Sequence, residues 1–397
     1  MNAAVRSARD LGLVIICAFI PLYGTFAALD PQRPPIPPLV PVAGTVALII
    51  VALAGYLLTM PAALLRIRAD AVTFAYLAPG ITTMLAGLCG FDPVTGVGLG
   101  VAVFGVGLAC LALDCADAEA VRLARRAFLW SAVAACALAL AMWAAHWPSA
   151  LYAYNNGRAV GTFLNPNELA AYALVGLGVA LPQAVLARGR NLLAMAASVL
   201  LVAALAATFS RWGLLAAVAG LAAFALMRGI RARTLLIACI LVTAAGFAVN
   251  VLAGAAHHSP RDDSARIVAW RAGLTTVAQF PLLGVGPLAY GRVYPEMRPP
   301  DAPGPKTAVA FDPHSLPLSY AAGGGLVSLV VLSAITIFLQ RRVQQAAGRT
   351  RIAALGIAAG LIALYIDCAV NTISIFIPLG LQATALAYAI ARNDERG

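Results

Sequence analysis

The sequence predicts an all-α integral membrane protein, on three observations. Of 397 residues, 62% are hydrophobic and 11% charged, against about 45–50% and about 25% in an ordinary soluble domain. The apolar residues gather in runs long enough to cross a bilayer, which takes about 20 residues. The basic residues between these runs alternate from one connection to the next, as the positive-inside rule requires of a polytopic chain. Abundant glycine and alanine suit helices packed closely in lipid.

Twelve candidate spans follow in order: 11–29, 39–60, 71–90, 94–114, 127–147, 168–187, 192–209, 212–227, 234–253, 315–339, 351–370 and 372–391. The eighth is short and the last two are weakly separated, so counts of eleven and thirteen stay open. The first run follows the basic stretch "MNAAVRSARD", as in a signal peptide. No small-x-small cleavage site precedes Asp30, and the run is read as a retained first helix. With odd-numbered spans leaving the cytoplasm, 18 of the 27 basic residues fall on the cytoplasmic side and both termini lie there. The net charge of +11 reflects this topology. Nucleic acid is not implied, because no polar domain exists to hold one. The seven cysteines include no C-x-x-C pair and none falls in the long polar loop. They read as small buried residues, with neither a disulfide framework nor a zinc site.

One connection breaks the pattern and divides the chain. Spans 1–9 occupy 1–253, an outer loop runs over 254–313, and the last three spans and a tail fill 314–397. A loop of about 60 residues without a role is uncommon. Within it, "SARIVAWRAGLTTVAQF" (264–280) sets Ile267, Trp270, Leu274 and Val277 at helical spacing. This predicts a short amphipathic helix on the outer interface. "FPLLGVGPLAYG" then turns sharply on glycine and proline, and "RPPDAPGPK" (298–306) reads as an irregular excursion.

Four motifs could carry chemistry. "GRAVGTFLNPNELAAY" (157–172) precedes the sixth span; Asn165-Pro166 signals a turn, Asn167 a helix N-cap, and Glu168 suits the first helical turn. "TFSRWGLLAA" (208–217) places Arg211 between two apolar runs with almost no loop. An arginine held at mid-membrane costs roughly 2.5–3.5 kcal/mol, so Arg211 either snorkels to the interface or lines a polar cavity. "DDSARIVAWR" (262–271) offers Arg266 and Arg271, whose fork-shaped groups suit phosphate oxygens. The plainer alternative is a solvated basic stripe paired with Asp262 and Asp263. "FDPHSLPLSY" (311–320) sets His314 at the membrane edge. Its imidazole can take a proton from a hydroxyl; a helix-start histidine bonded to backbone is the commoner role for a lone one. His257 and His258 read as solvated, and His146 beside Trp147 sits at a helix end.

Some signatures are missing. There is no Gly-x-x-x-x-Gly-Lys loop, no Asp-x-Asp and no His-Glu-x-x-His. Outer carboxylates are few, so magnesium or manganese catalysis lacks an evident ligand set. Charge inside the predicted spans is almost confined to Asp367, near a span end. That disfavours an ion-coupled transporter, although an anion transporter remains the rival reading from another class.

The segments "GTFLNPNELAAY", "FSRWGLLAA", "SARIVAWRAGL…FPLLGVGPLAYG" and "DPHSLPLSYAAGGGLVSLV" follow one another in this chain. In that order, over about 157–330, they resemble the O-antigen ligase and O-antigen polymerase superfamily. The resemblance implies a C-type glycosyltransferase-like membrane fold in the bacterial inner membrane, with a periplasmic active site, no metal and no cofactor. It implies as partners an undecaprenyl pyrophosphate-linked glycan donor, a lipid A–core acceptor and membrane lipids. Polymerases of the superfamily use another lipid-linked repeat as acceptor, and relatives use protein serine or threonine. Twelve spans with one dominant outer loop after the ninth are more similar to the ligase layout. By motif, Arg211 and Arg266 would bind the pyrophosphate and His314 would be the acceptor base. Arg158, Asn165, Asn167, Arg271 and Ser315 stand beside them as further candidate substrate contacts. Many relatives carry Asn after the histidine where this chain has Ser315.

Overall fold

The computed structural model describes residues 71–163, 165–186, 191–229, 260–303, 312–347, 352–371 and 376–393, with 11–15, 17–18, 20–21, 257 and 310. The predicted spans 39–60 and 234–253, and most of 11–29, lie outside these residues. Among the described residues the protein is helical throughout, with no strand.

Nine described helices coincide with predicted spans. They are α1 (Ala71–Leu88), α2 (Pro93–Asp114), α3 (Ala118–Ala144), α5 (Pro166–Leu186), α6 (Leu192–Ala207), α7 (Arg211–Met227), α10 (Leu316–Ala347), α11 (Ile352–Val370) and α12 (Phe376–Asn393). Three more, α4 (Ser149–Tyr154), α8 (Pro260–Gln279) and α9 (Tyr290–Met297), lie in connections. Five helices, α1, α2, α3, α10 and α11, are long and apolar enough to cross a membrane. At 1.5 Å per residue the 18 residues of α1 extend about 27 Å, close to the hydrocarbon thickness of about 30 Å.

Two predicted boundaries move. Helix α3 begins at Ala118, well before 127, because Asp117 caps it: its Oδ1 accepts the Ala120 N–H at 2.9 Å. The charged first turns, with Glu119, Arg122, Arg125 and Arg126, are helical and extend the span. Helix α10 runs on to Ala347 but is broken at Gly325, whose φ of 69° and ψ of 179° suit glycine alone.

Helices α1 and α2 form an antiparallel hairpin by close backbone approach. Added side-chain carbon at Gly80 would meet the Phe104 backbone, and at Gly107 the Tyr76 carbonyl. Such small-residue contacts replace the hydrophobic drive that lipid does not supply. Helices α5 and α11 meet in the same way through Gly178, Gly356 and Gly360.

The break in α10 seats the outer loop. With the helix interrupted, the Ala322 and Gly323 carbonyls accept the Val285 and Gly286 N–H groups at 2.9 and 2.8 Å. In return the Leu326 N–H donates to the Pro281 carbonyl at 2.8 Å. These three bonds give backbone groups at the break partners in the loop, as an apolar solvent demands. The Phe91 N–H donates to the Val285 carbonyl at 2.8 Å, and Arg292 pairs with Asp92 at 2.7 Å. The "FPLLGVG" turn is therefore a clasp between the α1–α2 turn and α10.

The amphipathic helix is present, as α8. Ile267 and Leu274 are 54% and 62% exposed, while Val268, Ala269, Ala272 and Thr276 are buried. The buried face packs on α9 through Tyr290, Val293, Tyr294 and Met297, a small core of its own. Small residues let α8 lie close on its neighbours, and the larger apolar ones are turned outward. Cysteine burial also holds only in part: Cys17, Cys110, Cys136 and Cys368 are buried, Cys115 is half-buried and Cys89 is exposed at the α1–α2 turn.

Candidate functional site

The first, second and fourth motifs meet at one end of the bundle, joined by polar side chains. Asn165, not Asn167, caps α5: its Oδ1 accepts the Asn167 N–H at 2.8 Å and its carbonyl accepts the Glu168 N–H. Pro166 at the first helical position needs no donor. Asn167 is thus released inward and buried. Its Oδ1 accepts from Arg158 Nη2 at 3.1 Å and from Ser210 Oγ at 3.0 Å. Its Nδ2 donates to Asn371 Oδ1 at 3.2 Å.

Ser210 caps α7, accepting the Gly213 N–H at 3.2 Å. Arg211 is therefore the first residue of α7 and is exposed, at the helix end where the dipole favours anions. Arg158 Nε donates to the Thr208 carbonyl at 2.7 Å. The Ala159 N–H donates to the Ala207 carbonyl at 2.9 Å. The two arginine-bearing segments are thus bonded to each other.

The relay continues into a segment that sequence reasoning did not single out. Asn371 Nδ2 donates to Asp367 Oδ1 at 2.9 Å. Asp367 is fully buried near the end of α11. The only advance signal was a carboxylate inside a predicted span.

His314 has a left-handed backbone, φ 51°. Its N–H donates to Asp312 Oδ1 at 2.7 Å and its carbonyl accepts from Trp270 Nε1 at 3.3 Å. Both bonds use the backbone and leave the imidazole free to face outward, with the side chain 46% exposed. Its Nδ1 stands 3.6 Å from Asp312 Oδ1. Asp312, also unassigned in the sequence, thus lies beside the ring and holds the backbone N–H beneath it. Trp270 lies one turn after Arg266 on α8, so the Trp270 bond sets Arg266 beside the histidine segment.

Two candidates point elsewhere. Arg271 forms a two-pronged pair with Asp301, at 2.9 and 3.0 Å; the side chains of Asp262 and Asp263 lie outside the described residues. The fork holds the Asp301 carboxyl below its ordinary range. Ser315 is buried, and its Oγ donates to the Ala369 carbonyl at 2.9 Å. It ties the start of α10 to the end of α11, two residues from Asp367. His257, expected to be solvated, instead stacks on Phe209 with centroids 4.1 Å apart.

Apolar helices around a buried polar relay, five of them long and apolar enough to cross a membrane, describe a multi-pass membrane protein. Residues 196–333 match the family model described as O-antigen ligase. The match supports the O-antigen ligase/polymerase superfamily, a group of enzymes. It covers Arg211, Arg266, Arg271, His314 and Ser315, whereas Arg158, Asn167, Asp367 and Asn371 lie outside it. No curated protein matches the chain.

Proposed function

We propose that the protein is a metal-independent glycosyltransferase that moves O-antigen polysaccharide from undecaprenyl pyrophosphate to a sugar hydroxyl of lipid A–core. The observation that carries this reading is the relay Arg158–Asn167–Asn371–Asp367. With the Ser210–Asn167 and Ser315–Ala369 bonds it holds the Arg158, Arg211 and His314 motifs at one end of the bundle. The far end, with Arg122, Arg125, Arg126, Arg228, Arg341, Arg342 and Arg392, is the cytoplasmic one by the positive-inside rule. The site then faces the periplasm of the inner membrane, in a chain of twelve spans with both termini inside.

The chemistry follows from the charges. The leaving group is a lipid pyrophosphate, and its departure builds negative charge on phosphate oxygens. Arg211, with the N-terminus of α7 behind it, and Arg266 offer oriented donors for that charge. Asp367 closes the relay from within the bundle, buried and bonded to Asn371. The acceptor hydroxyl must lose a proton as it attacks. His314 Nε2 takes it, while Asp312 bonds the histidine's backbone N–H and lies beside Nδ1. Attack from the face opposite the leaving group inverts the anomeric centre. A trapped glycosyl-enzyme adduct would sink that stereochemistry.

The test is transfer by purified protein given lipid-linked donor and lipid A–core, without a membrane gradient. Transfer rules out the anion transporter. A lipopolysaccharide gel of a deletion strain separates the remaining classes. Loss of a ligase leaves bare core while lipid-linked polymer accumulates, and loss of a polymerase leaves core with at most one repeat. Core with normal polymer would point to a protein acceptor.

A further inference from the structure

His257 is bound to both arginine-bearing segments at once. Its Nδ1 lies 2.6 Å from the Asn156 carbonyl. A carbonyl only accepts, so Nδ1 carries the proton and donates it. The ring lies on Phe209 at 4.1 Å with planes 23° apart. Asn156 is two residues before Arg158 and Phe209 two before Arg211. All three backbones at this junction are left-handed, with φ 53° at Asn156, 70° at Gly157 and 48° at Phe209. Such conformations persist only where surrounding contacts hold them. Trp143 adds one, donating Nε1–H to the Gly157 carbonyl at 2.9 Å. Gly157 is also the residue on which a side chain would run into the His257 ring, 3.2 Å from Cε1. Only two residues separate His257 from Pro260, where α8, the helix of Arg266, begins.

We propose that His257 is a positioning residue. It pins the outer loop to the Asn156–Arg158 and Phe209–Arg211 turns, and so fixes the spacing of the cations that meet the donor diphosphate. This rests on the transferase reading above. It assigns His257 no contact with the reacting atoms. The consequence is selective: loosening the clamp weakens donor use and leaves the acceptor side, built on Asp312 and His314, as it was.

The experiment compares wild type, His257→Ala and His257→Phe in the purified transfer assay, varying lipid-linked donor and lipid A–core separately. Losing both bond and stack in His257→Ala should raise the donor KM about tenfold, with acceptor KM and kcat within about twofold. His257→Phe keeps the stack and loses the donated proton, so its donor KM should rise about threefold. Unchanged donor KM in both variants overturns the clamp. So does a parallel fall in donor and acceptor parameters with a lower melting temperature, which marks a merely structural residue. Should His257→Ala fail to fold, His257→Phe decides by the same criteria. A wild-type protein that transfers nothing overturns the transferase reading and the clamp together. An active wild type with kinetically silent variants overturns the clamp alone.

Discussion

The α1–α2 hairpin and the junction of α5, α7 and α11 bring helices together in an apolar solvent by different means. The hairpin uses shape: glycines let one backbone lie on the other, with Gly80 against Phe104 and Gly107 against Tyr76. The junction spends its end on polar side chains, with Asn167 and Asn371 at its centre. Both satisfy packing, but the junction buries two side-chain amides and a carboxyl, which are costly without partners and which a helix pair does not need in order to pack. The difference teaches where to look for chemistry: where a membrane protein keeps buried amides and a carboxyl although small residues would suffice.

Substitutions should therefore break the two regions differently. The largest effect belongs to His314→Ala: transfer should fall about 10²–10⁴-fold, with expression and melting temperature kept. Normal smooth lipopolysaccharide from that mutant would remove the base assignment. Next comes the cation set. Arg211→Lys or Arg266→Lys keeps charge but loses the fork, and should lower donor kcat/KM about 10–100-fold, equivalent to one or two charge-assisted hydrogen bonds. Wild-type kinetics in both would detach the arginines from the donor. The hairpin should answer in the opposite currency. Gly80→Val should cost about 1–3 kcal/mol of stability, read as a lower melting temperature, while the KM values of the folded fraction stay unchanged. A shifted donor KM without lost stability would erase the contrast.

The smallest effect concerns the outer tether. The Arg271 fork lowers the Asp301 pKa in the folded protein, so this pair contributes fully at neutral pH. Its contribution is lost as pH falls below the ordinary carboxylate range and through the folded value. Both groups are exposed, so Asp301→Asn should speed hydrogen exchange in α8 only slightly at neutral pH, and not at all at low pH. Equal acceleration at both would show that the tether is not ionic.

Most of the helical frame was legible because bilayer-length apolar runs leave little choice of structure. The nine helices above match predicted spans within a few residues, except where Asp117 starts α3 early and α10 continues beyond the apolar run. Orientation was harder to read. The periodicity of α8 marked Ile267 and Leu274 as one face, which is exposed, but gave no sign that the small residues on the other side pack on α9. Helix α9 was missed because Pro295 and the preceding glycines read as turn. In the site, Arg211, Arg266 and His314 stood out by charge against apolar surroundings. Asp312, Asn371 and His257 did not, since their meaning comes from partners: His314 two residues on, Asn167 far upstream, and Phe209 across the junction.

The break at Gly325 has a consequence for biosynthesis. Val285 and Gly286 leave the ribosome before the Ala322 and Gly323 carbonyls that receive them. The outer loop cannot lock until the tenth predicted span has been threaded into the bilayer. Translation therefore delivers the arginine-bearing turns early and finishes the site late, when α10 brings His314 and the clasp together. A chain ended before Ala322 should leave the stretch around Arg298 open to protease where the full chain resists. Equal resistance in the two would reverse this order of assembly.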